Sequence, residues 1–215
     1  MLIPVSAAEL SRLIPAVATG PQFNACSGNP RRLLQRLLIA FIGGLISLLI
    51  SQALAMNSRF APVMLVVGVV FLLYVLWGPI LEAGQRNAAL RRYPVAAIFE
   101  GEVADLFQRD VVEQRREQAD RSGRLELVEN RRTWLCLELA DEEGYLGQLR
   151  FPLEKRHQQI RPGMVVRLLV LSERRDFGRI GALSDGWLPQ LNLWVGEYPY
   201  LLRPAFEELC LRRLR

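Results

Sequence analysis

The chain offers few residues for acid–base, nucleophilic or metal chemistry. His157 is its only histidine and Lys155 its only lysine, and with Arg156 they form a charged stretch that reads as solvent-exposed. One histidine does not build a His-rich metal site. A Ser-His-Asp set recruiting it would lack the Gly-x-Ser-x-Gly elbow that presents a nucleophilic serine. Lys155 has no glycine-rich approach, which excludes a Walker loop, and no Gly-x-Gly-x-x-Gly turn occurs. Glu100 and Glu102 lie two apart on one strand face, the spacing of an acid/base pair. Without a pocket to perturb them they read as solvent-facing carboxylates. Asp141, Glu142 and Glu143 fall in a hairpin tip, where adjacent carboxylates cannot all converge on one ion. Cys26, Cys136 and Cys210 are too widely spaced for a local zinc pattern, and their odd number argues against a disulfide framework. Cys136, in an alternating apolar segment, reads as a small core residue. The expectation is a non-enzyme with no catalytic, cofactor-binding or metal-ligating residues and no cofactor.

One cluster remains for recognition. Trp187, Trp194, Tyr198 and Tyr200 crowd a segment punctuated by Gly186, Pro189, Gly196 and Pro199. They are candidate partner-docking residues, since Trp and Tyr are enriched where partners bind. The alternative is that they cover the open end of a small barrel.

The elements that carry these residues divide the chain by hydropathy. Arginine and lysine number 5 up to Glu82 and 22 beyond it, and acids 2 and 20, so the front is about +3 and the rest about +2. Mixed signs in the polar part argue against a nucleic-acid partner, which needs a clustered basic face. Residues 37–56 form an uncharged apolar run, and residues 60–80 a second. At 1.5 Å per residue each matches the ~30 Å hydrocarbon core of a bilayer. Only Asn57-Ser58-Arg59 separates them, so the pair reads as a transmembrane hairpin spanning 37–82 with its flank. Gly43, Gly44 and Ser47 on the first helix and Gly68 on the second are candidate helix-packing residues, because small side chains permit close approach. Arg31, Arg32 and Arg36 precede the first span and Arg86, Arg91 and Arg92 follow the second. The positive-inside tendency then puts both termini in the cytoplasm or a topologically equivalent stroma. Ala53-Leu54-Ala55 after Arg31-Arg32 imitates a signal-peptide cleavage site, but the apolar run exceeds a signal core and a second span follows at once.

Residues 1–36 read as an N-terminal segment with a short helix from Ala7 to Leu13, begun by a Ser6/Glu9 capping box. An irregular linker follows from Gly20 to Pro30. Residues 83–203 read as a β-rich cytoplasmic domain, with the pattern turning from helical to alternating at Val95. Its expected strands include 98–106, 125–128, a hairpin of 133–139 with 145–151, 164–170 after a Pro162-Gly163 turn, and 178–183. Residues 110–124, polar and poor in large apolar side chains, read as a solvated helix or loop excursion. Residues 204–215 read as an amphipathic helix with Phe206, Leu209, Cys210 and Leu214 on its apolar side. The fold class expected is therefore an α+β membrane protein, a helical hairpin followed by a small OB-like or SH3-like barrel.

From Trp77-Gly78-Pro79 onward the chain resembles a group of small cyanobacterial membrane proteins often labelled "phosphate ABC transporter permease". The resemblance rests on Arg92-Tyr93-Pro94, Gly101-Glu102-Val103, 128–131, 160–163, Ser184-Asp185 and, most of all, residues 192–201. It covers roughly the last two thirds of the chain and implies a photosynthetic host and a thylakoid or plasma-membrane location. Two spans are few to line a permease path, and no coupling-loop signature for an ATPase occurs. The expected function is a membrane-anchored, non-enzymatic adaptor or assembly factor docking on a larger membrane complex, such as a photosynthetic one. The alternative is a subunit of a transporter or oligomeric channel, and a homo-oligomer remains open.

Overall fold

The computed structural model describes residues 1–55, 60–119, 125–142 and 144–214. It divides into two units: Met1–Leu13 with Tyr93–Arg215, and Ile14–Arg92.

The first unit is a seven-stranded antiparallel sheet with two helices. Its strands are β1 (Leu2–Val5), β2 (Val95–Ala119), β3 (Leu125–Asp141), β4 (Gly144–Pro152), β5 (Val165–Ser172), β6 (Ile180–Leu188) and β7 (Leu193–Val195). The order is β4-β3-β2-β5-β6-β7, with β1 also pairing β2. Period-two alternation sends Phe99, Val103, Leu135, Leu137, Leu168 and Val170 into one fully buried core. The alternate residues Ile98, Leu169 and Leu171 are equally buried, so the sheet is apolar on both faces here. The sheet curls: Leu149 of β4 packs on Gly186 of β6, and Leu183 of β6 on Gly147 of β4. A closed OB-like or SH3-like barrel was the sequence expectation; the strands form a curled half-barrel instead. Closure needs edge strands hydrogen-bonded to each other, and among the described residues β4 and β7 are not paired.

Residues 110–119 also depart from expectation, being strand rather than a helix or loop. They pair with 125–133 in antiparallel register, with one shift between Val112 and Gln114. The backbone ladder joins the two strands, and the sequence of 110–119 carries no period-two alternation. Residues 120–124 and Glu143 lie outside the described residues. The helix α1 (Ala7–Leu13) has the expected cap: the Ser6 hydroxyl donates to Glu9 (2.7 Å) and Glu9 N–H to the Ser6 hydroxyl (3.3 Å). β1, by contrast, has no local signature, since four residues become a strand only through their pairing with Ala96–Phe99.

The second unit is helical: α2 (Gly20–Ser27), α3 (Pro30–Ala55), α4 (Ala61–Leu72) and α5 (Tyr74–Arg91). The segment expected to be an irregular linker is therefore largely the helix α2. Thr19 caps it, with Gln22 reaching back to the Thr19 N–H (3.1 Å), and Pro21 sits in the first turn where no intrahelical donor is missed. α3 begins at Pro30, a turn and more before the apolar run.

α3, over Pro30–Leu54, is long and apolar enough to cross a membrane. The second expected span is broken. α4 and α5 pass that length test only together, and they are bent by 67° at Leu73. One side-chain hydrogen bond spans the bend, and a proline lies beyond it within α5. Pro79 lacks the N–H that would bond the Val75 carbonyl. The indole N–H of Trp77 donates to the Val70 carbonyl at 2.9 Å, and Trp77 meets Tyr74 edge-on. The turn expected at Asn57-Ser58-Arg59 lies outside the described residues.

Candidate functional site

The small residues of the second unit come together. Gly44 and Ser47 face Gly68, while a side chain at Gly43 would overlap the Phe71 ring. Ser51 donates to the Ala61 carbonyl at 2.8 Å. Rising positions on α3 thus meet falling positions on α4, which makes the helices antiparallel. A Cβ at Gly68 would stand 3.3 Å from the Ser47 Cβ, so the absence of side chains sets how closely the two backbones approach. Beside this seam lies a groove of about 290 Å³ lined entirely by apolar residues and glycine, among them Phe41, Leu48, Leu65 and Val69.

The same unit holds polar contacts that spacing alone did not reveal. Gln22 and Asn87 exchange a reciprocal amide pair, at 3.0 and 3.3 Å, and Asn87 donates to the Pro15 carbonyl at 2.9 Å. Three arginines, Arg32, Arg36 and Arg86, gather on Glu82. The only sequence signal was Glu82–Arg86 at i,i+4.

In the first unit the aromatic segment is an interior feature. Trp187 and Trp194 are each 8 % exposed and Tyr198 3 %, with Tyr200 half-buried. Trp187 stacks with Trp194 (centroids 6.3 Å, 18° between planes), and Trp194 meets Phe206 edge-on at 5.7 Å. Phe206 belongs to α6 (Arg203–Arg213), whose Glu207 accepts the Trp194 indole N–H at 2.9 Å. Arg203 lies over the Trp194 ring and Arg167 over Trp187. Trp194 therefore ties α6 to the sheet, and Trp187, Trp194 and Tyr198 are buried rather than presented to solvent. Glu100, one half of the spaced carboxylate pair, is engaged by Arg167 at 2.5 Å. Cys210 lies buried in the same layer, and burial pushes its thiol up to about 12, far from a reactive thiolate.

Two stretches quoted for the family resemblance meet at Asp185. Ser184 and Asp185 sit where the β5–β6 register slips between Leu168 and Val170. The Ser184 hydroxyl accepts the Leu169 N–H left by that slip (2.9 Å) and donates to the Asp185 carbonyl (2.8 Å). Asp185 Oδ1 accepts the Leu201 N–H at 3.0 Å, tying residues 196–201 to β6. Gly196 has φ +154°, and a Cβ there would stand 2.9 Å from the Asp185 Cβ, so glycine alone fits. Asp185 Oδ2 is buried without a hydrogen-bond partner among the described residues. Burial raises the Asp185 carboxyl to about 7, with the Leu201 N–H opposing the rise.

His157 is buried, not exposed as its charged neighbours implied. It sits in a short 3₁₀ turn, Lys155–Gln159, where its Nδ1 accepts the Glu154 N–H (3.1 Å) and its ring meets Phe151 edge-on at 4.7 Å. Burial lowers its pKa by disfavouring the charged imidazolium, with Glu154 opposing the shift. Among the described residues no group of three or more His, Cys, Asp or Glu is placed to hold a metal.

Searches of curated proteins and of solved structures return no match. A family model does match, over residues 3–215, and the chain belongs to that family of unknown function, DUF8619.

Proposed function

We propose that the protein is a membrane-anchored, non-enzymatic adaptor or assembly factor that binds a larger membrane complex. The observation that carries this reading is the apolar surface of α3, where Leu38, Phe41, Ile46 and Leu49 stand half or more exposed. A bilayer or a helix within one is the surrounding that such a surface fits. In this reading α3 spans the membrane and the bent pair α4–α5 returns, with the arginine-rich flanks on the cytoplasmic side.

The reading assigns partner contact in the first unit to the β2–β3 ribbon, since the aromatic segment is occupied. From Val111 to Ala119 and from Leu125 to Arg132 each strand is laddered only to the other among the described residues. At 3.4 Å per residue that is an arm of roughly 30 Å. A two-stranded ribbon is marginal alone, and its open edges suit strand addition by a partner. Phe107 and Val111 stand exposed near its base. The pore-subunit alternative gains nothing from the helices, because residues 37–55 and 60–80 contain no Asp, Glu, Lys, Arg or His.

Affinity purification of the tagged full chain from its native membranes in mild detergent, followed by mass spectrometry, tests the proposal. Enrichment of one membrane complex is expected. Recovery solely as a homo-oligomer would contradict it.

A further inference from the structure

We propose that Arg32, Arg36 and Arg86 form a seat for the headgroup of an anionic phospholipid at the foot of α3. The inference rests on the reading that α3 crosses a bilayer. Within Ile14–Arg92 the only acidic residue is Glu82, against seven arginines. Three of those arginines converge on it. Arg36 Nη2 donates to Glu82 Oε2 at 2.7 Å, Arg86 Nη2 to Oε1 at 3.1 Å, and Arg32 Nη1 contacts the same Oε1. One carboxylate balances one cation, so the cluster keeps a positive excess.

The cluster is built, not incidental. The Arg36 side chain is 7 % exposed, packs against Gly78 and donates also to the Cys26 carbonyl at 3.3 Å. That fixes the innermost guanidinium and, through it, Glu82. Arg32 and Arg86 remain 41 % and 30 % exposed around it. Immediately along α3 the exposed Leu33, Leu34, Leu37 and Leu38 begin the apolar surface. A phosphodiester at the cluster would therefore have its acyl chains running beside those leucines. Guanidinium forks match the two anionic oxygens of a phosphodiester, and basic pockets beside membrane helices favour anionic headgroups. A free phosphate satisfies the same arginines but leaves the leucines unused, which is why the lipid is the occupant inferred.

The test uses the full chain purified in a neutral detergent, titrated with phosphatidylglycerol or phosphatidylcholine and read by thermal shift. Wild type is expected to take phosphatidylglycerol about twentyfold more tightly, since each arginine near a membrane surface contributes roughly fivefold. The double variant Arg32→Gln/Arg86→Gln should keep a preference of no more than about twofold. The milder Arg32→Gln, at the more exposed position, should keep about a fifth of the preference, and Arg32→Lys/Arg86→Lys most of it. Equal affinity of wild type for the two lipids would overturn the inference. So would a double variant that keeps its preference, or inorganic phosphate that stabilises wild type as strongly as phosphatidylglycerol. Wild type washed from membranes by alkaline carbonate would overturn the anchor and the seat together. Retention without lipid preference would overturn the seat alone.

Discussion

In β5, Val166, Leu168, Leu169, Val170 and Leu171 are all 0 % exposed, while in α3 Leu38 is 57 %, Phe41 65 % and Leu49 56 % exposed. The residue types are the same and the surroundings are opposite. The sheet unit supplies its own apolar environment: β5 is flanked by β2 and β6, with a core on one face and buried side chains on the other. α3 has α4 along one side, where glycine and serine make the contact, and its remaining apolar circumference faces outward. In water such a surface opposes folding; in hydrocarbon it does not. The comparison teaches that composition alone does not separate a core from an anchor. What separates them is where the small residues fall. In α3 they line the protein-facing seam and the large residues point away, the reverse of a soluble core helix.

The sharpest break in this comparison is a cavity in the sheet unit. Phe99→Ala removes a fully buried ring from the core and should cost about 3–5 kcal/mol, read by denaturant unfolding followed through tryptophan fluorescence. An effect under about 1 kcal/mol would mean that the core is not packed as described.

Next comes the buried carboxyl of the same unit. Asp185 holds its proton more tightly folded, at about 7, than unfolded, at about 3.9. Between those values the folded state binds more protons, so this group's contribution to stability falls as pH rises. His157 works in the other direction, because burial lowers its pKa and stability rises as pH climbs through its ordinary value. Comparing Asp185→Asn with wild type cancels the histidine. The stability advantage of Asp185→Asn should widen by about 2–3 kcal/mol between pH 5 and pH 8. A gap that stays constant with pH would contradict the assignment.

In the helical unit the sensitive place is the seam. Gly43→Val forces a side chain into the Phe71 ring and should cost about 1–3 kcal/mol of helix-pair stability, measured by thermal unfolding in detergent. The smallest effect belongs to the outward face of the same helix. Leu49→Ala, despite removing a large apolar side chain, should change stability in detergent by no more than about 0.5 kcal/mol. A cost near that of Phe99→Ala would show Leu49 to be a core residue.

What the sequence disclosed follows the range of the interactions concerned. The Ser6/Glu9 cap and α1, the alternation of Leu135, Leu137 and Leu139, and α6 with Phe206, Leu209 and Cys210 buried depend on neighbours a few residues away, and all were readable. β1 was not, because its strand state depends on Ala96–Phe99, more than ninety positions on. The length of β2 escaped notice because residues 110–119 pair through backbone groups whose side chains show no alternation. α2 did carry a local signal, Thr19 with Gln22, hidden behind a Gly-Pro pair that normally marks a turn. His157 looked exposed from its charged neighbours, and only the fold brings Phe151 against it. The bend at Leu73 interrupts an apolar run with no change in hydropathy; the Trp77 hydrogen bond spans it and Pro79 lies beyond it. For the candidate site, the four small residues of the hairpin were legible as helix-contact spacing. The aromatic cluster was legible as a cluster open to two readings, a docking face or a cover for the barrel end, since which side of a sheet a helix will cover is a tertiary fact.

Whether α3 spans a bilayer is measured most directly by alkaline carbonate extraction of membranes from cells producing the full chain. With α3 in the bilayer, the protein is expected to stay with the membrane pellet after the wash, as an integral protein does. Recovery in the supernatant as a folded, monodisperse species would contradict that placement.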